Sequence, residues 1–106
     1  MFSLVINGNL GSAPEKFTRK HEVSGKNVEG VSFSVAVNRY DRSSKETRTS
    51  WFNVVTYGKL ADICHEHLDK GSKVTVQAAS LWASTSVGND GEQYNNLNIM
   101  AQEVAF

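Results

Sequence analysis

Hydrophobic and polar residues alternate along much of the chain, in short runs that polar turns separate. In residues 31–38 every second residue is Val or Phe, and the residues between them are Ser, Ala or Asn. This period of two predicts a half-buried strand. Residues 1–7 and 51–57 are rich in β-branched, aromatic and other apolar side chains and predict two more strands. Residues 15–22 suit a short, exposed, charged strand.

The second half of the chain predicts one helix and two strands. Apolar side chains recur at helical spacing in 59–70, and Gly71 follows as a helix stop. Residues 73–81 and 94–104 predict strands, with a turn signal at 89–91 between two strand-like segments. The polar stretch 39–49 predicts a long hairpin loop, because it is too charged to lie in a core.

The predicted order of elements is therefore three strands, one helix and two strands. A chain of 106 residues is one small domain. The order fits an all-β fold, a five-stranded Greek-key barrel of the OB-fold type with one helix between strands 3 and 4. Barrels of this type commonly bind oligonucleotides on one face.

The formal net charge is zero, yet the two halves of the chain differ. Residues 1–59 hold nine basic and five acidic residues, a net charge of +4, and residues 60–106 have a net charge of −4. A polyanion would experience the field of the first half rather than the average. With one cysteine and no apolar run of about 20 residues, the composition predicts a cytoplasmic protein.

Aromatic and basic residues occur together in the first half. Alternation places Trp51 and Tyr57 on one face of their strand, and Tyr40 joins that face if the alternation of the preceding strand continues. Exposed rings stack unpaired bases without reading sequence, and cations neutralise phosphates. The predicted phosphate-binding residues are Arg39, Arg42, Lys45, Arg48, Lys59 and Lys73.

Two other interpretations compete with nucleic-acid binding. Strand aromatics often belong to the core, and charged hairpin loops are often only solvated. Cys64, His65 and His67 suggest a metal, but only Cys64 and His67 are helical neighbours, and zinc needs more ligands. We therefore expect no metal, no cofactor and no catalytic residues, with Cys64 in the core and both histidines on the surface.

Four segments resemble the bacterial-type single-stranded DNA-binding protein family. They are VINGNLG at 5–11 with PE at 14–15, FSVAVN at 33–38, WFNVVTYGKLA at 51–61 and LDKGSKV at 68–74. The match spans nearly the whole chain, in order and with compatible spacing. GKLA and KGS together form a specific signature, whereas either alone would be weak.

The resemblance implies an OB-fold without enzymatic activity. It implies sequence-independent binding that coats and protects single-stranded DNA in replication, recombination and repair, in the cytoplasm and at the nucleoid. Family members are usually homotetramers, and the first strand helps to join subunits. Tyr40, Trp51 and Tyr57 fall on the base-stacking positions of the family.

The sequence departs from the family in three places. Residues 78–86, in the fourth strand and the hairpin after it, contain no cation where the family usually has basic residues and an aromatic residue. The family's aromatic position falls near Thr85, so that Trp82 would substitute only with a local shift. Asn53 replaces a residue that is often basic. The sequence stops at Phe106, without the family's acidic-tipped tail. Tail-mediated docking of repair proteins is therefore doubtful, unless the chain is a truncated form or a tail-less paralogue.

Two alternatives remain open from the sequence. One is an OB-fold protein-interaction module of a replication-restart, plasmid or phage assembly, with weak nucleic-acid binding. The neutral charge and the cation-free second hairpin favour it modestly. The other is RNA binding in the manner of cold-shock domains, because stacking does not distinguish the two sugars.

Overall fold

The computed structural model describes residues 2–106, except for the side chain of Tyr94. Met1, with which the first predicted strand begins, lies outside the described residues. Within them the chain forms six strands and one helix. In chain order these are β1 (Leu4–Leu10), β2 (Glu15–Lys20), β3 (Asn27–Asp41), β4 (Glu46–Tyr57), α1 (Gly58–His67), β5 (Lys73–Val87) and β6 (Gln93–Ala105).

The strands form one sheet in the order β1-β5-β6-β4-β3-β2, and a further pairing of β1 with β3 closes it into a barrel. All pairs are antiparallel except β4 with β6. Closure depends on Gly8, since a Cβ there would collide with the carbonyl oxygen of Ala36. The predicted all-β barrel with its single helix is confirmed, with the helix between β4 and β5. The barrel has six strands rather than five, because the short exposed strand suggested for 15–22 is present as β2.

The inner face of the barrel is the core. The alternation predicted for 31–38 is present, with Val31, Phe33 and Val35 buried. In β4 the buried partners are Val54 and Thr56, and Thr56 donates its hydroxyl proton to the carbonyl oxygen of Val31 at 2.7 Å. This bond lets a hydroxyl lie in an otherwise apolar interior.

Helix α1 covers one end of the barrel with a narrow apolar side. Ala61 and Cys64 are buried, and burial raises the pKa of the Cys64 thiol to about 11. The thiol therefore behaves as a small apolar core group, as predicted. The helical spacing also predicted Ile63 on this apolar side, but its side chain is 37% exposed. The helix ends at His67, three residues before the predicted end.

Two hairpins are longer than the sequence pattern indicated. The predicted loop 39–49 is wrong: β3 continues to Asp41, β4 begins at Glu46, and only four residues form the turn. Asp41 holds this turn by accepting hydrogen bonds from the amide and hydroxyl of Ser43. Strand β5 likewise extends to Val87 rather than to residue 81. Polar residues suit these extensions because most of their side chains are exposed.

No helix in residues 2–106 is long and apolar enough to cross a membrane.

Candidate single-stranded nucleic-acid interface

The β3–β4 ladder brings the three predicted stacking residues to one face of the sheet. Cross-strand partners point to the same side, and the ladder pairs Tyr40 with Thr47, Trp51 with Ala36, and Tyr57 with Gly30. These pairs alternate with the buried pairs of the core, so all three rings lie on the side that faces away from the core, here called the outer face. Tyr40 is 62% and Trp51 is 54% exposed.

Trp51 has a fixed position in spite of its exposure. A Cβ at Gly11 would overlap the six-membered ring of the indole and would lie 3.1 Å from the hydroxyl of Ser34. The indole therefore lies against the backbone at Gly11. A side chain at residue 11 would displace it, which gives a physical reason for the second glycine of the VINGNLG segment.

Trp82 reaches the same face because the β5–β6 ladder is irregular. Register shifts lie between Gln77 and Ala78 and between Ala78 and Ser80. Ala78 is buried, so unbroken alternation would turn Trp82 inward as well. After the shifts Trp82 pairs with Asn98, which itself pairs with Asn53 of β4, and the Trp82 side chain is 44% exposed.

Amide side chains connect Trp82 to β4. Asn53 donates an amide proton to Oδ1 of Asn98 at 3.2 Å, and Asn98 donates to the hydroxyl of Ser84 at 2.9 Å and to the carbonyl oxygen of Trp82 at 3.3 Å. The residues on this part of the outer face are neutral and fix one another. Sequence reasoning missed this network, although Asn recurs at alternate positions 96 and 98 of β6.

The hairpin cations do not all lie on the side of Tyr40. Arg39 pairs with Arg48, and by alternation both point to the reverse side of the hairpin. Nε of Arg48 lies 3.7 Å from a carboxylate oxygen of Asp41, whose pKa is lowered by its hydrogen bonds from Ser43. Arg42 and Lys45 lie in the turn, and Lys45 has a left-handed φ of 57°.

The two remaining predicted cations lie outside the hairpin. Lys59 is exposed in the first turn of α1, two residues after Tyr57. Lys73 pairs with Asn9, Asn9 pairs with Ala36, and Ala36 pairs with Trp51. Lys73 is thus three strands from Trp51 across the closed barrel, about 14 Å at the usual strand spacing.

Strand β2 adds two residues that sequence reasoning missed. Phe17 and Tyr57 meet edge to face, with ring centroids 5.8 Å apart and an interplanar angle of 77°. The guanidinium carbon of Arg19 lies 5.6 Å from the centroid of the Tyr57 ring. The available signal was Phe17 itself, an aromatic residue in an otherwise polar segment, EKFTRK.

The model of the Single-strand binding protein family matches residues 1–106. The chain belongs to this family. It is 34% identical over 102 residues to the single-stranded DNA-binding protein of Xanthomonas campestris pv. campestris, covering 95% of this chain and 57% of that protein. It is 36% identical over 77 residues to single-stranded DNA-binding protein 1 of Chlorobaculum tepidum, covering 70% of this chain and 44% of that protein. The chain spans about half the length of these curated relatives.

Solved structures of the family have the same fold. The small single-stranded DNA-binding protein from Streptomyces coelicolor is 25% identical, with a TM-score of 0.72 over 98% of this chain and 92% of that chain. The Plasmodium falciparum SSB in complex with ssDNA is similar in fold, with a TM-score of 0.66 and 23% identity over 99% of this chain and 91% of that chain. These likenesses confirm the OB-fold predicted from the order of elements.

The suspected metal ligands of this single-strand binding family member are dispersed. Cys64 points into the core, whereas His65 and His67 are exposed on α1. His67 lies 3.9 Å from Glu66 and packs at 5.9 Å from the ring of Phe106. Among the described residues no group of three His, Cys, Asp or Glu side chains is placed to hold a metal ion.

Proposed function

We propose that this protein binds single-stranded DNA without sequence preference and without enzymatic activity. It coats and protects DNA strands during replication, recombination and repair, in the cytoplasm and at the nucleoid. The observation that supports this most directly is the row of aromatic rings on the outer face, with Tyr40, Trp51 and Trp82 exposed and Tyr57 half-buried, beside a cationic hairpin. The names of its relatives and membership of the family agree with it.

The geometry of the rings suits stacking. Trp51 and Tyr57 are six residues apart along β4, about 20 Å in an extended strand, and Tyr40 lies about 13 Å from Ala36, the cross-strand partner of Trp51. The rings are thus distributed along the β3–β4 ladder rather than gathered in a pocket. Each can receive a different base of an extended strand. Stacking tolerates every base because each has a π-face, which gives sequence independence.

The charges define how the backbone of the DNA is held. Arg42 and Lys45 lie at the hairpin tip, and Arg39 and Arg48 line its reverse side, so that a strand passing around the tip meets cations at the turn and behind it. Lys59, at the start of α1, and Lys73, at the start of β5, contribute to phosphate binding away from the hairpin. Because the net charge is zero, we expect a shallower salt dependence than for a uniformly basic relative.

We also propose that the protein is a homo-oligomer, with a tetramer as the expected state. In the described residues β1 pairs with β5 over Leu4–Asn9 but with β3 only at Asn9 and Leu10. One edge of β1 before Asn9 therefore has no ladder partner in residues 2–106. A second copy of β1 would satisfy this edge. Light scattering at micromolar concentration tests the proposal, which a strict monomer would contradict.

A titration with oligo-dT tests the DNA-binding function. We expect quenching of tryptophan fluorescence and weaker binding as the salt concentration rises, because Trp51 and Trp82 report stacking and the cations report phosphate contacts. Absence of quenching at low salt would disprove the proposal. Competition between matched DNA and RNA oligomers distinguishes a DNA-binding protein from a general single-strand binder.

A further inference from the structure

Phe17 and Tyr57 meet across a glycine. Phe17 pairs with Gly30 in β2–β3, and Gly30 pairs with Tyr57 in β3–β4. A Cβ at Gly30 would lie 2.5 Å from the ring of Phe17 and 2.7 Å from the carbonyl oxygen of Thr56. The missing side chain thus allows the two rings to contact each other over β3. The aromatic surface thereby extends one strand beyond the β3–β4 ladder.

Arg19 lies on the same side of β2 as Phe17, since it is two residues further along the strand. Its guanidinium is close to the Tyr57 ring, and no ion pair holds it in the part of the chain that the structure describes. A guanidinium can stack on an aromatic face and can also bind a phosphate. Arg19 is exposed and Tyr57 is half-buried, and a cation–π contact that solvent reaches in this way is weak enough for a base to replace it.

We propose that Phe17, Arg19 and Tyr57 form a nucleotide subsite, here called the β2 subsite. In it a base stacks on Tyr57, which the edge contact with Phe17 holds in position, and Arg19 moves from the ring to the adjacent phosphate. The proposal rests on the proposed function and assigns to β2 a role in binding DNA. It makes Arg19 a phosphate-binding residue, in addition to the six cations predicted from the sequence.

The charge on β2 also indicates the direction in which the strand leaves the β2 subsite. Glu15 lies on the outer face two residues before Phe17, where it pairs with Ser32. Its carboxylate repels phosphate, whereas Arg19 at the other side of Phe17 attracts it. The DNA backbone therefore passes Tyr57 on the Arg19 side.

Substitution of Arg19→Met tests the phosphate contact, with Lys20→Met as the matched control. The two variants lose the same charge from neighbouring residues, but Lys20 points to the opposite side of β2. For long oligo-dT we expect R19M to bind about fivefold more weakly at 0.1 M salt, with a plot of log K against log salt shallower by about 0.7. The plot for K20M should equal that of the unchanged protein.

A fluorescent reporter completes the test. In a W51F/W82F background, Tyr57→Trp should be quenched by long oligo-dT. Equal salt plots for R19M and K20M would disprove the phosphate contact, and an unquenched reporter would disprove the stacking. If the unchanged protein itself fails to bind oligo-dT, the proposed function fails, which is a different result.

Discussion

The β3–β4 hairpin and the β5–β6 hairpin are similar in form and opposite in chemistry. Each extends its strands beyond the predicted bounds and carries an exposed aromatic residue on the outer face, Tyr40 in the first and Trp82 in the second. The first hairpin contains four of the predicted phosphate-binding cations. The second has Lys73 at the start of β5, far from its turn, but no Lys or Arg from residue 74 to residue 105, and its turn holds Asp90 and Glu92.

The two hairpins therefore suit two different ways of binding a polyanion, phosphate binding by cations and base stacking. In the proposed function the flexible cations of the β3–β4 hairpin bind phosphates, and such binding would weaken as salt rises. The β5–β6 hairpin instead has amides that fix one another, with Asn98 bonded to Ser84 and to the backbone of Trp82. Stacking on Trp82 depends little on salt. The two hairpins should therefore contribute separable terms to one binding free energy.

Removal of the cations from the β3–β4 hairpin should have the largest effect. The variant combines Arg39→Gln, Arg42→Gln, Lys45→Asn and Arg48→Gln. Asn suits residue 45 because it tolerates a left-handed φ. If all four bind phosphate, the plot of log K against log salt becomes shallower by about 3, and affinity at 0.1 M salt falls by several hundredfold. Titrations with oligo-dT at several salt concentrations measure both quantities.

The control for this variant is its behaviour at high salt. There the affinities of the variant and of the unchanged protein should converge, because the remaining binding is mostly stacking. A salt plot that keeps its slope would show that the hairpin cations are only solvated, which is the competing interpretation of such loops.

The second prediction concerns stacking. Trp51→Ala should cost about 1–3 kcal/mol of binding free energy, or roughly fivefold to 150-fold in affinity, with almost no change in the salt plot. Trp82→Ala should change affinity in the same salt-independent way, since its ring shares the outer face. Unchanged affinity of W82A would remove the β5–β6 hairpin from the interface and leave the first hairpin alone.

Alternation predicted the faces of β3 and β4 because one side of each strand is buried. That pattern placed Trp51 and Tyr57 on one face of β4, the family resemblance assigned them to stacking, and the structure places both on the outer face. The lengths of the hairpins were not predictable in this way, because exposed strand extensions have no buried side to impose a pattern. For the same reason the sequence did not show that Arg39 and Arg48 point away from Tyr40.

Contacts between distant strands also escaped prediction. The outward position of Trp82 depends on register shifts that only the pairing of β5 with β6 reveals. The contact of Phe17 with Tyr57 depends on Gly30, 13 residues from the first and 27 from the second, between them in the sheet. The family resemblance supplied the stacking positions of Tyr40, Trp51 and Tyr57 and admitted Trp82 with a local shift, but it gave no sign of the contact between Phe17 and Tyr57.

Asn98→Ala should have a moderate effect that is specific to the second hairpin. The variant loses the bonds to Ser84 and to the Trp82 backbone and leaves the amide of Asn53 without its acceptor. We expect a loss of about 1 kcal/mol in the free energy of unfolding, since these bonds are exposed. Amide exchange should accelerate near Trp82, and affinity should fall up to about fivefold. If amide exchange accelerated equally in both hairpins, the role of Asn98 would not be local to the second hairpin.

The smallest effect should come from neutralising the acidic turn of the second hairpin. Asp90→Asn combined with Glu92→Gln removes two negative charges. The side-chain oxygen of the new amide at position 90 can still accept the hydrogen bond from the backbone amide of residue 92, which Asp90 accepts at 3.0 Å. Affinity for oligo-dT should rise about twofold to threefold at low salt and become equal to that of the unchanged protein at high salt. A rise would show that DNA passes near this turn. An affinity unchanged at every salt concentration would place the turn outside the reach of the DNA. Trp82 would then be the part of the second hairpin that contributes to binding.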